Sequence, residues 1–443
     1  MKDAPGSHSV TAIQGAKMPD DEPLSPLLRM LLREIAVGES TALASFWRAV
    51  AERGTPLIDP DPDDETRALV TFLWRHTADT GCPVVMSPLV QPRSRTLDLQ
   101  PLVRVPGTDV WYATGRSGLD LRGTYALSTG TAYCDFTGVV ADLARIEGTA
   151  ATFHTDPLNK HPFRVNDPHL PPQSTFALPA APPQPWIVAQ DDVPQGSVRQ
   201  HRVPSPIEGG EQTVWVYRPP GYREQGRPYG LLLLFDGWAY LHWIPTPTIL
   251  DNLLAARHLP PLVAVLIDNG GGPTRTRQLA CSPSFADFIA CNLLPWVRRE
   301  YHVTADPQDT IAGGSSLGGL AAAFLGLRHP GVVGKILCQA ASFPWAPDED
   351  QEAEWLTRQF ATSPCQPLRL YLEIGLQELW GGAADQPNGL VPTRHARDVL
   401  RARGYAVHYA EFNGGHDYII SWRGTLADGL LALTAPVGTT LPS

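Results

Sequence analysis

The chain has 443 residues, of which 43% are hydrophobic and 18% charged, a composition typical of a globular protein rather than a disordered or coiled-coil one. A single hydrophobic core stops growing at roughly 250–300 residues, so this length predicts one large domain and a smaller one. The formal net charge of −10 argues against nucleic acid as a partner, because nucleic-acid binders present a basic surface.

Membrane, metal and disulfide signals are all missing from the sequence. No run approaches the roughly 18 consecutive apolar residues that cross a bilayer, and the N-terminus lacks the apolar core of a secretory signal. The six cysteines include no CxxC pair, which fits reduced thiols better than disulfides or zinc ligands. We therefore expect a cytoplasmic protein with no membrane partner, no metal and no cofactor.

The N-terminal part predicts a tail followed by a small mixed domain. Residues 1–22 are polar and irregular and are expected to form a flexible tail. Apolar residues recur at helical spacing over 23–54, and short β-rich runs separated by Pro-Gly and Thr-Gly turns fill 66–128. These patterns predict a helical segment plus a small antiparallel β-sandwich over 23–180, and a linker over 181–211.

The remaining residues, 212–443, alternate apolar strands with helical patterns. Several strands are nearly continuous hydrophobic runs, including GLLLLF, LVAVLI and LRLYLEI. Such runs are typical of central strands in a parallel sheet that helices cover on both faces. The prediction is an α/β domain whose functional residues lie at the carboxyl ends of its strands.

One segment between a predicted strand and a predicted helix has the pattern of a nucleophile elbow. The run IAGGSSLGGL contains Gly-x-Ser-x-Gly centred on Ser316, and its glycines are needed because the serine occupies a tight, strained turn. Ser316 is thus the predicted nucleophile of an α/β-hydrolase domain. Two alternatives stay open: Ser315 as nucleophile, although it lacks the second glycine, or a serine that only caps the helix.

A serine nucleophile needs a base, and this fold carries its triad in the order serine, acid, histidine. His416 lies on a Gly-Gly loop directly after the last predicted strand and is the predicted general base. Glu378, on the loop after LRLYLEI, is the predicted acid that orients the histidine. Glu373, within that strand, and Asp417, next to the base, are the alternatives.

Two segments are predicted to supply the oxyanion hole, which needs backbone amides aimed at the developing negative charge. One donor is the amide of Leu317, the residue after the nucleophile. The second is expected from the Asp-Gly-Trp turn after LLLLF, at Gly237 or Trp238. An ordinary Asp-Gly turn is the competing explanation of that segment.

Candidate substrate-binding residues flank these segments. Trp238 and Tyr240 belong to an aromatic-rich loop that suits a flat or ring-bearing substrate, although packing between loop and helix explains it equally well. Arg275 and Arg277 follow another strand end and are candidates for binding an anionic group.

Taken together, these segments resemble the enterochelin (enterobactin) esterases, a family that hydrolyses ferric trilactone siderophores. RVPGTDVWYATGRSGLDLRGTYALST resembles the family's N-terminal β-domain, and IAGGSSLGGLAA, YLEIGLQE and NGGHDYIISWRG resemble its catalytic blocks. The resemblance implies Ser316 as nucleophile, Glu378 as acid, His416 as base, and Arg275 as a ligand for an anionic catecholate. Gln278 departs from the pattern, because a glutamate is expected there.

The function that the resemblance implies is a serine esterase that opens a trilactone catecholate siderophore so that its iron is released. The expected partner is this small-molecule ester, and the expected state is a monomer or homodimer. A carboxylesterase, thioesterase or acyltransferase acting on another macrolactone or peptide ester is the main alternative. A non-catalytic siderophore binder is the third.

Overall fold

The computed structural model describes residues 24–76, 83–87, 89, 99–128, 153–163, 173–207, 210–378 and 389–436. The tail predicted for residues 1–22 lies outside these ranges, as do Cys82 and Cys134. Within the described ranges, no helix is both long enough and apolar enough to cross a membrane.

Two helices open the described chain, α1 (Pro26–Ala36) and α2 (Ala42–Arg53). Their apolar faces pack on a small sheet, in a buried cluster that includes Leu28, Phe46 and Tyr112. Helices follow from the 3.6-residue spacing of these apolar positions, because that spacing places them on one face. The helical segment predicted from the sequence is confirmed.

The strands that follow form two antiparallel sheets. Their bounds are β1 (Leu57–Pro60), β2 (Arg67–Arg75), β3 (Val84–Met86), β4 (Leu99–Pro101), β5 (Val103–Arg104), β6 (Val110–Gly118), β7 (Arg122–Ser128), β8 (Phe153–His154), β9 (Pro162–Phe163) and β10 (Gln173–Ala177). One sheet has the order β1-β2-β6-β5 and the other β4-β3-β7-β10-β9, with β8 also paired to β7. Phe72, Tyr125 and Phe176 pack together between the two sheets. The predicted antiparallel sandwich is confirmed.

A large, mostly parallel sheet forms the second part of the molecule. Its strands are β11 (Ser197–Pro204), β12 (Glu211–Arg218), β13 (Gly230–Phe235), β14 (Leu262–Ile267), β15 (Thr310–Ser315), β16 (Lys335–Gln339), β17 (Arg369–Gly375) and β18 (Ala406–Phe412). They lie in the order β11-β12-β14-β13-β15-β16-β17-β18. The pairs β11–β12 and β12–β14 are antiparallel and the others are parallel.

Helices cover both faces of this sheet. They are α3 (Gly237–His242), α4 (Thr246–Ala255), α5 (Gly272–Leu279), α6 (Pro283–Phe288), α7 (Leu294–Glu300), α8 (Leu317–Arg328), α9 (Trp355–Thr362), α10 (Leu390–Ala402) and α11 (Arg423–Thr434). In β13, Leu231 and Leu233 face a core shared with α8, while Leu232 and Leu234 face a core shared with α4 and α11. Burial of both faces explains the uninterrupted apolar run, and the predicted α/β-hydrolase layering is confirmed.

Part of the segment predicted as a linker is instead a strand of the large sheet. Within 181–211, β11 pairs with β12 along its whole length, from Ser197 opposite Arg218 to Pro204 opposite Glu211. The run SVRQHRVP has the polar composition of a linker because β11 lies at the edge of the sheet, where only Val203 is buried. The large sheet therefore begins about 15 residues earlier than predicted, at 197 instead of 212.

Candidate active site

Ser316 occupies the tight turn between β15 and α8. Its φ of 55° and ψ of −124° lie in a region that residues with side chains rarely adopt. Its amide donates to the carbonyl oxygen of Gln339 (3.0 Å), which ties the turn to the end of β16. The rival Ser315 is fully buried, whereas Ser316 is partly exposed. Only Ser316 of the two can therefore meet a substrate.

The glycines around Ser316 are required by close backbone contacts. A Cβ on Gly314 would lie 2.7 Å from the carbonyl carbon of Gly318, and one on Gly319 would lie 2.9 Å from the Cβ of Ala341. A Cβ on Gly318 would lie 3.1 Å from the Oδ2 of Asp236. The elbow can thus form only where these positions lack side chains, which is the physical basis of the motif.

The predicted base and acid are in contact. His416 Nδ1 lies 2.7 Å from Glu378 Oε2, although 38 residues separate the two in the chain. Glu378 is buried, and its other oxygen accepts a hydrogen bond from the amide of Gly375 (3.2 Å). The His416 ring packs edge-on against Trp422, with centroids 4.6 Å apart. Burial and these contacts hold the imidazole in one orientation.

The two alternative acids make other bonds. Glu373 is buried in β17, where it accepts from Thr425, Gln339 and Tyr371. Asp417 accepts from Thr124 Oγ1 (2.6 Å) and from the amides that begin the next helical turn. Glu378 is therefore the carboxylate positioned to orient His416.

The turn after β13 approaches the elbow from the other side. Asp236 has a left-handed conformation, with φ of 57°. Gly237 then begins α3 against the neighbouring strand, where a Cβ would lie 2.5 Å from the amide nitrogen of Ile267. Leu317 begins α8, so its amide is among those that no helical carbonyl uses. Both predicted donor segments thus lie beside Ser316, because Asp236 contacts Gly318 closely.

Arg275 holds this turn. Its Nε and Nη2 donate to the two carboxylate oxygens of Asp236 at 2.7 and 2.8 Å. Burial alone would lower the pKa of Arg275, but the hydrogen bonds and charge of Asp236 raise it above its usual range. Tyr418 also donates to Asp236 (3.2 Å). Arg275 thus positions this turn through Asp236, and its binding of an anionic group stays a prediction.

The two predicted aromatic substrate contacts have different positions. Tyr240 is fully buried, and its hydroxyl donates to the side-chain oxygen of Gln339 (2.7 Å), so in this structure it packs beneath the site and presents no surface to a substrate. Trp238 is partly exposed and packs against His242 and Trp243, with ring centroids 4.8 and 5.3 Å away. Trp238 alone of this pair remains available to a substrate.

Gln278, the departure from the family pattern, supports the same turn. Its side-chain oxygen accepts from Asn269 (2.8 Å), and the side chain of Asn269 accepts from the amide of Asp236 (2.9 Å). The position requires a hydrogen-bond acceptor, which glutamine supplies as a glutamate would. The departure therefore leaves this support intact.

Contacts from the sandwich reach the loop that carries His416. Asn413, at one end of the loop, donates to Asp120 (2.7 Å), and Thr124 of β7 donates to Asp417 at the other end. Sequence reasoning missed these contacts, as it missed the side-chain bonds of Asp236 with Arg275 and Tyr418, because no local pattern marks them. The small domain thus holds the loop of the predicted base.

Two family models match the chain. The one described as putative esterase matches residues 205–433, and the one described as enterochelin esterase, N-terminal, matches residues 69–187. The first spans 229 of the 443 residues, more than half of the chain. The two family models together therefore match parts of both the small domain and the α/β domain.

Individual relatives align over nearly the whole length. The iron(III) enterobactin esterase of Dickeya dadantii is 30% identical over 439 residues, covering 93% of this chain and 96% of that one. The iron(III) salmochelin esterase of Escherichia coli is 28% identical, covering 90% and 96%. A crystal structure of the enterobactin esterase from Shigella flexneri in the presence of enterobactin has a TM-score of 0.70 at 25% identity, covering 88% and 97%. On this similarity, the chain belongs to the enterochelin (enterobactin) esterase family.

Proposed function

We propose that the protein is a serine esterase that hydrolyses the ester bonds of a trilactone catecholate siderophore. The observation that carries this proposal is the His416–Glu378 contact on the same sheet edge as the strained, partly exposed Ser316. The substrate class is supported by the relatives, which are named for iron(III) enterobactin and salmochelin. Iron enters as cargo of the substrate.

In the first half-reaction, His416 takes the proton of Ser316 and the serine oxygen attacks the ester carbonyl. Since Glu378 engages Nδ1, the nitrogen that accepts this proton is Nε2. The resulting oxyanion is held by the amide of Leu317 and by one from Gly237 or Trp238. The carbon–oxygen ester bond then breaks, and the leaving alcohol takes the proton from His416.

In the second half-reaction, water hydrolyses the acyl-enzyme. His416 accepts a proton from the water, the hydroxide attacks the acyl carbon, and Ser316 leaves with the proton returned by His416. The products are an alcohol and a carboxylic acid. Opening a cyclic trilactone in this way separates its catecholate arms, and the iron is then held less tightly.

The test is incubation of the wild-type chain with ferric enterobactin and, separately, with a simple aryl ester, followed by chromatography with mass spectrometry. We expect linear trimer, dimer or monomer from the siderophore with wild type, and none with Ser316→Ala. Loss of a triad nucleophile typically costs about 10⁶-fold in kcat, so no product is expected on the wild-type time scale.

Ser315→Ala is the matched control, because it removes the neighbouring hydroxyl from the same elbow and should retain hydrolysis. Siderophore hydrolysis by Ser316→Ala would overturn the nucleophile. Cleavage of the aryl ester without cleavage of the siderophore would leave the serine esterase and overturn the substrate class.

A further inference from the structure

A cavity lies where the sandwich meets the α/β domain, and the proposed reaction does not use it. Its volume is about 400 Å³. The small domain contributes Arg53, Arg122 and Lys160 to its lining, and the large domain contributes Arg423. In the part of the chain that the structure describes, no aspartate or glutamate lines it. The cavity is thus a cationic site shared by two domains.

Most of these cations have only neutral partners. Arg122 donates to the carbonyl oxygen of Pro182, Lys160 to that of Glu52, and Arg423 to the side-chain oxygen of Gln184. Arg53 is the exception, because it forms an ion pair with Asp59 (2.9 Å). The charges of Arg122, Lys160 and Arg423 are therefore not matched by a carboxylate within 4 Å among the described residues.

Arg122 and Arg423 line the same cavity from the two domains that form it. Burial lowers the pKa of both, and the charge of Arg122 lowers that of Arg423 further. Asp417 offsets part of this repulsion, but its oxygens accept from Thr124 and from two amides. Two partly buried guanidinium groups of like charge are stabilised when an anion lies between them.

Beside the cations and the polar residues Thr55, His161 and Thr175, part of the cavity wall is apolar. This part is formed by Pro56, Ile58, Phe176, Ala177 and Ile420. A small inorganic ion would leave most of this apolar surface without a packing contact, whereas the apolar part of an organic anion would pack against it. Arginine also stacks well on aromatic rings, which favours a ring as the apolar body of the ligand.

We propose that this cavity is a binding site for a small aromatic carboxylate, whose carboxylate lies between Arg122 and Arg423 and whose ring lies against Phe176 and Ile420. The proposed hydrolysis itself yields such a compound, since it turns an ester of a catechol-bearing molecule into a carboxylate. This origin of the ligand rests on the proposed function, whereas the binding site does not. Neither Ser316 nor His416 lines this cavity.

The test is calorimetric titration of the full-length chain with 2,3-dihydroxy-N-benzoylserine, compared with Arg423→Gln and Lys160→Gln. Each charge-assisted hydrogen bond is worth about 1.5–3 kcal/mol, so we expect binding in the cavity to weaken roughly 10- to 100-fold in Arg423→Gln. Lys160→Gln, at an exposed position, keeps the test valid if Arg423→Gln does not fold, and it should weaken binding in the same direction.

Arg397→Gln is the control, because it removes an arginine of α10 that pairs with Asp398 instead of lining the cavity. It should bind as wild type does. Equal affinity of wild type, Arg423→Gln and Lys160→Gln would overturn the site, and equally tight binding of inorganic phosphate would overturn the aromatic ligand. The elbow can also bind this compound as a reaction product, so wild type should show two binding events: the one that Arg423→Gln and Lys160→Gln leave unchanged belongs to the elbow, and the one they weaken belongs to the cavity. Hydrolysis by Ser316→Ala is measured separately and tests only the proposed function.

Discussion

Glu378 determines which nitrogen of His416 carries a proton. An ionised carboxylate only accepts hydrogen bonds, so the 2.7 Å contact with Nδ1 requires a hydrogen there and leaves Nε2 as the basic nitrogen. Burial of Glu378 and the amide of Gly375 on its other oxygen keep the carboxylate in place. The tautomer of His416 is therefore set by its contact with Glu378.

Replacement of Glu378 by glutamine tests that role. The amide can present a donor to Nδ1 and so favours the wrong tautomer, while the size of the side chain is unchanged. We expect kcat for an aryl ester to fall by roughly 10³- to 10⁴-fold with KM little changed. Circular dichroism should show an intact fold, and a kcat within tenfold of wild type would exclude Glu378 as the triad acid.

At the scale of elements, strand β17 carries a buried carboxyl beneath the active site. Glu373 accepts from Tyr371, Thr425 and the side chain of Gln339, and the backbone carbonyl of Gln339 in turn holds the amide of Ser316. Burial raises the pKa of Glu373 from 4.5 to about 8, although its hydrogen bonds act in the opposite direction. The support beneath the elbow therefore responds to pH.

The raised pKa predicts that stability falls as pH rises from about 4.5 to about 8. In this window the native state keeps the proton of Glu373 while the unfolded chain has lost it, so each pH unit costs up to about 1.4 kcal/mol. Glu373→Gln should flatten the dependence, as measured by the denaturant midpoint between pH 5 and pH 8.

Glu411→Gln provides the comparison for that series. The pKa of Glu411 is lowered to about 2, chiefly by Arg394, so its contribution is lost only as pH falls below about 4.5. This variant should leave the slope between pH 5 and pH 8 unchanged. An equally steep slope in wild type and Glu373→Gln would rule out Glu373 as its source.

At the scale of the whole molecule, the sandwich is part of the support for the loop that carries His416. Thr124 of the small domain and the partly buried Asp417 are 293 residues apart in sequence, and their side-chain oxygens are 2.6 Å apart in space. Asn413 and Asp120 make a second link across the same junction. The loop that carries His416 is thus held from both domains.

Thr124→Val should loosen this loop without removing any proposed triad residue. The partly buried carboxylate of Asp417 loses one of its donors, at a cost of about 1 kcal/mol, and kcat should fall more than KM changes. Thr71→Val is the matched control, because the hydroxyl of Thr71 forms a hydrogen bond with Thr114 within the sandwich. This control variant should lower the melting temperature while preserving kcat. An unchanged kcat in Thr124→Val would contradict a role for the junction in catalysis.

The sequence by itself determined the features that depend on neighbouring residues. The elbow could be recognised because its glycines and Ser316 lie within a few residues of one another. Few other sequences are compatible with a turn that leaves no room for side chains. The strands of the α/β domain could be recognised because burial of both faces demands uninterrupted apolar runs. The sandwich followed from alternation and turn signals.

Only the tertiary structure decided features that join distant segments. It distinguished Glu378 from Glu373 and Asp417, paired Arg275 with Asp236, and placed Tyr240 beneath the site. It also assigned β11 to the large sheet, whose polar edge strand has the composition of a linker. Partners in these cases are brought together by packing of the whole chain, and no local pattern encodes which of several carboxylates a histidine will meet.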